Sequence, residues 1–278
     1  MSGVLYVVGT PIGNLGDISP RALEVLDSVD FIAAEDTRVT LKLLNHFEIK
    51  KPMISYFEHN KRERGDIICD RIESGENCAI VTDAGMPCIS DPGEELVRQC
   101  AERGIKTIVV PGPSAVISAL AVSGLATGRF TFEGFLSTNK KSRSDHLEQL
   151  RDEKRTMIFY EAPHKAAAAL ADMYKVFSDR KISIVREITK IHEEVIRTTL
   201  AEASQKYSDG SLRGELVFVV EGAQENSRAD DFTLEQAAQL ARQLINEGGS
   251  VSDSAKQAAK ITGFRKNEIY KLLIGDIQ

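Results

Sequence analysis

Three glycine- and proline-rich segments hold the residues best placed to do chemistry. They are Gly9-Thr10-Pro11-Ile12-Gly13-Asn14, Asp83-Ala84-Gly85-Met86-Pro87-Cys88-Ile89-Ser90-Asp91-Pro92-Gly93 and Pro111-Gly112-Pro113-Ser114-Ala115. Each follows a short apolar run: Leu5–Val8, Ala79–Thr82 and Thr107–Val110. Such runs read as buried strands, and in open α/β sheets a ligand sits where the strands' carboxyl ends meet their loops. Glycine there lets backbone amides and carbonyls approach the ligand closely. None of the three loops contains Lys or Arg, and neither the phosphate-cradling G-x-x-x-x-G-K-[ST] nor the dinucleotide pattern G-x-G-x-x-G is present. A nucleotide polyphosphate is a poor fit. Neutral groups with the carboxylates Asp83 and Asp91, and Glu35-Asp36 after the run Phe31–Ala34, suit a neutral or cationic ligand bearing hydroxyls. S-adenosylmethionine has that chemistry: a sulfonium charge, a ribose diol and no phosphate.

The elements that must position these loops alternate. Helical patterns at 20–26, 39–47, 66–72 and 94–101 separate the first strands, and a further helix at 114–123 follows the third loop. This predicts an α/β domain with a largely parallel sheet over residues 1–118. Strand candidates at 130–135, 157–160, 182–186, 195–199 and 216–220, with helices at 145–150, 165–177 and 200–207, predict a second α/β domain with a mixed sheet over 119–224. Between the two cores, 137–144 reads as a polar insert carrying Lys140, Lys141 and Arg143. The segment 223–231 reads as a linker. A small helical domain over 232–278 then contains helices at 234–245, 252–261 and 266–273, the last two joined at Gly263 like a helix-turn-helix.

Composition narrows the class. The chain has 278 residues, 42% hydrophobic content and a net charge of −6, which is globular and no advertisement for a nucleic-acid binder. Any RNA contact must come from local patches: Lys140, Lys141 and Arg143, or Lys256, Lys260, Arg265, Lys266 and Lys271. The four cysteines form no C-x-x-C and lie far from histidine spacing, so thiols idle in a reducing compartment and no metal site are expected. The start is too short for a signal peptide and lacks a basic residue before Arg21. The charge-free stretch 107–128 is broken by Pro111-Gly112-Pro113, so a cytoplasmic chain without a membrane span is expected.

The ordered motifs carry a resemblance. Thr10–Ile18, Ala34-Glu35-Asp36-Thr37-Arg38, the second and third loops, Phe159–Lys165 and Arg186-Glu187-Ile188-Thr189-Lys190 resemble the ribosomal RNA small subunit methyltransferase I family. That family has the tetrapyrrole-methylase fold. The resemblance implies two α/β domains with S-adenosylmethionine in the cleft between them, and a homodimer. It also implies 2′-O-methylation of a cytidine ribose in the decoding region of small-subunit rRNA. Carried over by position, cofactor contacts fall on Pro11, on Asp83, Ala84, Gly85, Met86 and Ile89, on Ser114 and Ala115, and on Tyr160, Glu161 and Ile188. Met86 stands where the family usually has Thr, so a contact through a hydroxyl would not survive there.

A ribose hydroxyl is a weak nucleophile, and a base or a cation beside it helps. Glu35, Asp36, His59, Asp83, Glu161, Glu187 and Lys190 are the candidates, with Glu35, Asp36 and Lys190 preferred as catalytic. Each has a plainer reading. Glu35-Asp36 suits a helix cap, Asp83 an Asx-turn, and Glu187 with Lys190 a local ion pair. Two other functions stay open: methylation of a corrin or porphyrin precursor on the same fold, and a non-enzymatic helix-turn-helix nucleic-acid binder.

Overall fold

The computed structural model describes residues 2–224 and 232–275. Its first sheet is wholly parallel, in the order β3-β2-β4-β1-β5. The strands are β1 (Val4–Val8), β2 (Phe31–Ala34), β3 (Met53–Ser55), β4 (Cys78–Val81) and β5 (Lys106–Val110). Every residue of β2 and β4 is buried, because helices cover both faces. Alternate side chains go to opposite layers. Leu5, Val7, Phe31 and Ala33 pack toward α3 (Lys61–Glu73) and α4 (Gly93–Glu102). Val8, Ile32 and Ala34 pack toward α1 (Pro20–Ser28) and α2 (Thr37–His46). The half-buried β3 is a three-residue strand that periodicity does not reveal: Met53, Ile54 and Ser55 show no alternation long enough to read.

The charge-free stretch resolves into β5, the Pro111–Ser114 turn and the nine-residue helix α5 (Ala115–Ser123). Among the described residues no helix is long and apolar enough to cross a membrane. Position 118, the expected domain boundary, falls inside α5. The buried face of that helix, Val116, Ala119 and Leu120, packs on Ile158, Val185, Val217 and Val219 of the second sheet. The chain therefore changes sheets at the third glycine loop itself.

The second sheet is mixed, in the order β6-β7-β10-β8-β9. Only β6 (Phe130–Phe135) and β7 (Thr156–Glu161) run parallel; β8 (Lys181–Arg186), β9 (Glu194–Thr199) and β10 (Leu216–Val220) pair antiparallel. Its other face is covered by α7 (Pro163–Phe177) and α8 (Leu200–Lys206). The expected polar insert at 137–144 is a correction. Asn139 caps Ser142 N, and α6 (Lys140–Gln149) starts there, inside the second domain between β6 and β7. Leu147 sits in the same core as α7, so α6 is an ordinary covering helix.

The C-terminal unit has its own core. Ala237, Ala241, Ala255, Ala258, Ile269 and Leu273 join α9 (Leu234–Asn246), α10 (Val251–Thr262) and α11 (Lys266–Gly275). Thr233 and Gln236 close a capping box at its entry, and Gly263 ends α10 in the left-handed region. Most of the expected linker, 225–231, lies outside the described residues.

One close approach organises the carboxyl ends of the first sheet. A Cβ built on Gly9 would stand 2.7 Å from the Gly112 Cα, and one on Gly112 would stand 2.8 Å from the Gly9 Cα. Backbone meets backbone, so neither side can yield by rotating a side chain. Gly9→Ala is expected to cost about 1–3 kcal/mol, as overpacking does. Gly128→Ala, in open space, is expected to stay within about 0.5 kcal/mol. Urea denaturation of both variants checks the contrast.

Candidate active site

The three loops lock to one another before they meet any ligand. Thr10 N donates to Gly85 O (2.9 Å) and Gly85 N to Thr10 O (3.2 Å). The buried Thr10 Oγ1 donates to Thr82 O (3.2 Å). Gly9 N donates to Val110 O (3.1 Å), and Gly112 N to Met86 Sδ (3.3 Å). Met86 thus serves through its thioether as a brace between the second and third loops.

The second loop is held in a costly shape by one carboxylate. Asp91 accepts from Cys88 N (2.9 Å), Ile89 N (3.2 Å) and Gly93 N (2.8 Å). These bonds hold Cys88 (φ 72°) and Ser90 (φ 65°) in the left-handed region. Burial pushes the Asp91 carboxyl above its ordinary range, even though the three N–H groups favour its ionised form.

A cleft of about 390 Å³ opens between the domains at this point. From the first domain it takes Ala84, Gly85, Met86 and Ile89 of the second loop, and Glu35 from the end of β2. Ser114 and Ala115 bring the start of α5. From the second domain it takes Tyr160, Glu161 and Ile188. Ten of the expected site residues therefore converge from distant parts of the chain. Pro11 and Asp83 instead line a neighbouring cavity of about 270 Å³ that shares Thr82 with the cleft.

The lining also includes residues the motifs did not single out. Ile12, Ser90, Ala162 and Pro163 lie within segments already recognised, so proximity in sequence could have found them, and Asp91 is the loop carboxylate already noted there. Phe135, Glu215, Leu216 and Val217 could not be found that way, because 130–135 and 216–220 read only as strands and Glu215 directly precedes the latter. Among the described lining residues four are carboxylates, Glu35, Asp91, Glu161 and Glu215, and none is Lys, Arg or His.

The titratable groups divide by their partners. Glu35 accepts from Thr82 Oγ1 (2.5 Å) and faces the cleft. Asp36 turns away: it caps α2 at Arg38 N (2.8 Å) and pairs with the Arg38 guanidinium (2.6 Å). Those bonds bring its carboxyl down to about 2. Asp83 Oδ1 accepts from Asp36 N (3.1 Å), and burial, with the Glu35 charge, pushes it up. Glu161 is 3% exposed and accepts from Ala162 N (2.8 Å); burial pushes its carboxyl up.

Lys190 is not among the cleft-lining residues but overlies the first loop. A Cβ on Gly13 would stand 2.5 Å from Lys190 Cγ. Its Nζ donates to Glu187 Oε1 and lies near Glu215 Oε2, both at 3.1 Å. Burial works against its charge, but these carboxylates outweigh it and hold the ammonium above its usual range. It is a fixed cation, not a base. Exposed His59 lies outside the cleft, and Arg143 is spent on Asp172 (2.8 Å) and Ser137 O. Among the described residues no group of His, Cys, Asp or Glu could hold a metal ion.

Comparison with known proteins places this architecture. The model of the tetrapyrrole (corrin/porphyrin) methylases matches residues 4–204. The chain is 45% identical over 271 residues to the ribosomal RNA small subunit methyltransferase I of Synechocystis sp., covering 97% of each. With that of Haemophilus influenzae it shares 41% over 281 residues, covering 100% of this chain and 99% of the relative. Among solved structures, diphthine synthase aligns with a TM-score of 0.61 at 16% identity, over 79% of this chain and 90% of that one. Uroporphyrin-III C-methyltransferase from Thermus thermophilus, complexed with S-adenyl homocysteine, aligns at 0.56 and 16%, over 79% and 97%. The fold and the end-to-end kinship agree: this chain belongs to the tetrapyrrole methylases and, within them, to the ribosomal RNA small subunit methyltransferase I family.

Proposed function

We propose that the chain transfers a methyl group from S-adenosylmethionine to the 2′-hydroxyl of a cytidine in the decoding region of small-subunit rRNA. The observation that carries this is an interdomain cleft walled by carboxylates and neutral backbone, in a chain akin over its whole length to rRNA methyltransferases.

The residues present fit the donor. The lining carries four carboxylates and no cation, which suits a sulfonium and an ammonium and disfavours phosphate. The donor's own carboxylate needs N–H groups, and the N-terminus of α5 offers them: Ser114 lines the cleft and makes no side-chain cap bond. When bound, S-adenosylmethionine supplies a methyl carbon made electrophilic by the sulfonium.

The chain's residues have the remaining work of orientation and proton handling. Glu35, at the cleft wall and fixed by Thr82, is placed to accept the proton of the ribose hydroxyl. Lys190, held charged, favours developing negative charge and the backbone of the incoming RNA. Asp36 positions α2 and is not assigned a chemical role.

RNA docking is assigned to the C-terminal unit. Lys256, Lys260, Arg265, Lys266 and Lys271 are exposed on α10, α11 and the turn between them, where phosphates can be met. A homodimer and a cytoplasmic site of action belong to the same proposal, on the strength of the kinship.

Labelled methyl from S-adenosylmethionine is expected to enter small ribosomal subunits and to be recovered as 2′-O-methylcytidine after digestion. Label entering a porphyrin or corrin precursor instead would overturn the proposal. Glu35→Gln is expected to lower kcat about 100-fold or more without changing donor affinity. Asp36→Asn is expected to lower Tm and leave kcat close to wild type; equal kcat losses in both would remove Glu35 from its role.

Glu161 gives a pH signature. Its folded pKa is raised, so its ionised form opposes folding, increasingly as pH rises from the ordinary carboxylate range through the raised value. Glu161→Gln is therefore expected to raise Tm relative to wild type at about pH 8, with the difference vanishing near pH 4. Calorimetric scans across that range check it.

A further inference from the structure

Phe135 is out of place for the last residue of a sheet strand. It lines the cleft, yet 56% of it is exposed. The cause is local. The pairing of β6 with β7 shifts register between Phe132 and Phe135, and Gly134 adopts φ 64°. Such a bulge re-aims a side chain, and only glycine takes that backbone without strain. The Phe135 ring is propped from within by Tyr160 at 5.4 Å, which in turn meets Phe132 at 4.9 Å. Two partly buried aromatics thus support one exposed face.

Across the domain boundary stands its counterpart. Ile89, 51% exposed, lines the same cleft from the second glycine loop. The neighbours of these two residues nearly touch: a Cβ on Gly134 would lie 3.7 Å from Ser90 Oγ. Phe135 and Ile89 therefore line one slot of the cleft, one from each domain.

We propose that this slot holds the base of the acceptor nucleotide, turned out of its stack, with Phe135 as the stacking platform. This rests on the reading of the cleft as the site of RNA ribose methylation. A flat ring fits between an aromatic face and an aliphatic side chain, and stacking on aromatic side chains is how unstacked RNA bases are held. Glu35, Asp91 and Glu215 in the same lining repel a phosphate, so the ring enters and its phosphates stay outside. The alternative occupant, the donor's own adenine, is distinguished by the test.

In the full chain, Phe135→Ala is expected to raise KM for small ribosomal subunits about tenfold or more, with donor affinity by calorimetry within about twofold of wild type. Phe135→Tyr restores KM. Unchanged KM, or lost donor affinity in Phe135→Ala, overturns the proposal. The chain has no tryptophan, so Phe135→Trp adds a single reporter. Its fluorescence is expected to be quenched by a short single-stranded oligocytidylate, added with or without S-adenosylhomocysteine. Quenching by S-adenosylhomocysteine alone gives the ring to adenine and overturns the inference. If the functional reading itself fails, wild type transfers no methyl to small subunits, a result independent of the quenching.

Discussion

The site depends on two strands ending back to back. Gly9 closes β1 and Gly112 follows β5, the strand paired directly beside it. With no side chain at either position, the first and third loops lie against each other. The Thr10–Gly85 bridge then ties the second loop to the first, and Met86 ties it to the third. Because α5 leaves the third loop directly for the second sheet, this same knot fixes the start of the helix that the second domain packs upon. Position and shape of the cleft follow from it.

Electrostatics decides what that cleft can take. Asp91 and Glu161 are carboxylates pushed up by burial, which is unfavourable for their ionised forms. Both costs are offset in part by backbone N–H donors, and a bound cation would offset more. Lys190 is not part of the lining but is held by Glu187 and by the lining residue Glu215. Charge selection for the ligand and charge placement for RNA are thus separated. The chain's net negative charge is reconciled with an RNA substrate by local groups of exposed lysines, Lys256, Lys260, Lys266 and Lys271 on α10 and α11 and Lys140 and Lys141 at the start of α6.

Much of this was legible because the determinants are local. Apolar runs of four or five residues between amphipathic helices mark a buried parallel sheet, and the three loops follow three of its strands. The convergence of Ala84, Ser114 and Glu161 was legible only through kinship, since no spacing brings a β7 residue to a β4 loop. Other features depend on tertiary context. The β3 strand is too short to show a period, and polar Lys140–Ser144 forms a helix because Asn139 caps it and Leu147 anchors it. Glu35 and Asp36 are adjacent yet face different surroundings, since one meets Thr82 and the other Arg38. Phe135 was silent because a register shift, invisible in sequence, decides where it points.

The central claim is that this cleft selects a phosphate-free, cationic nucleoside. Isothermal titration calorimetry on one preparation, with S-adenosylmethionine, ATP and NAD in turn, tests it most directly. The account predicts saturable binding of S-adenosylmethionine at one site per chain and no measurable heat from either phosphate-bearing nucleotide. Tighter binding of ATP or NAD than of S-adenosylmethionine would contradict it.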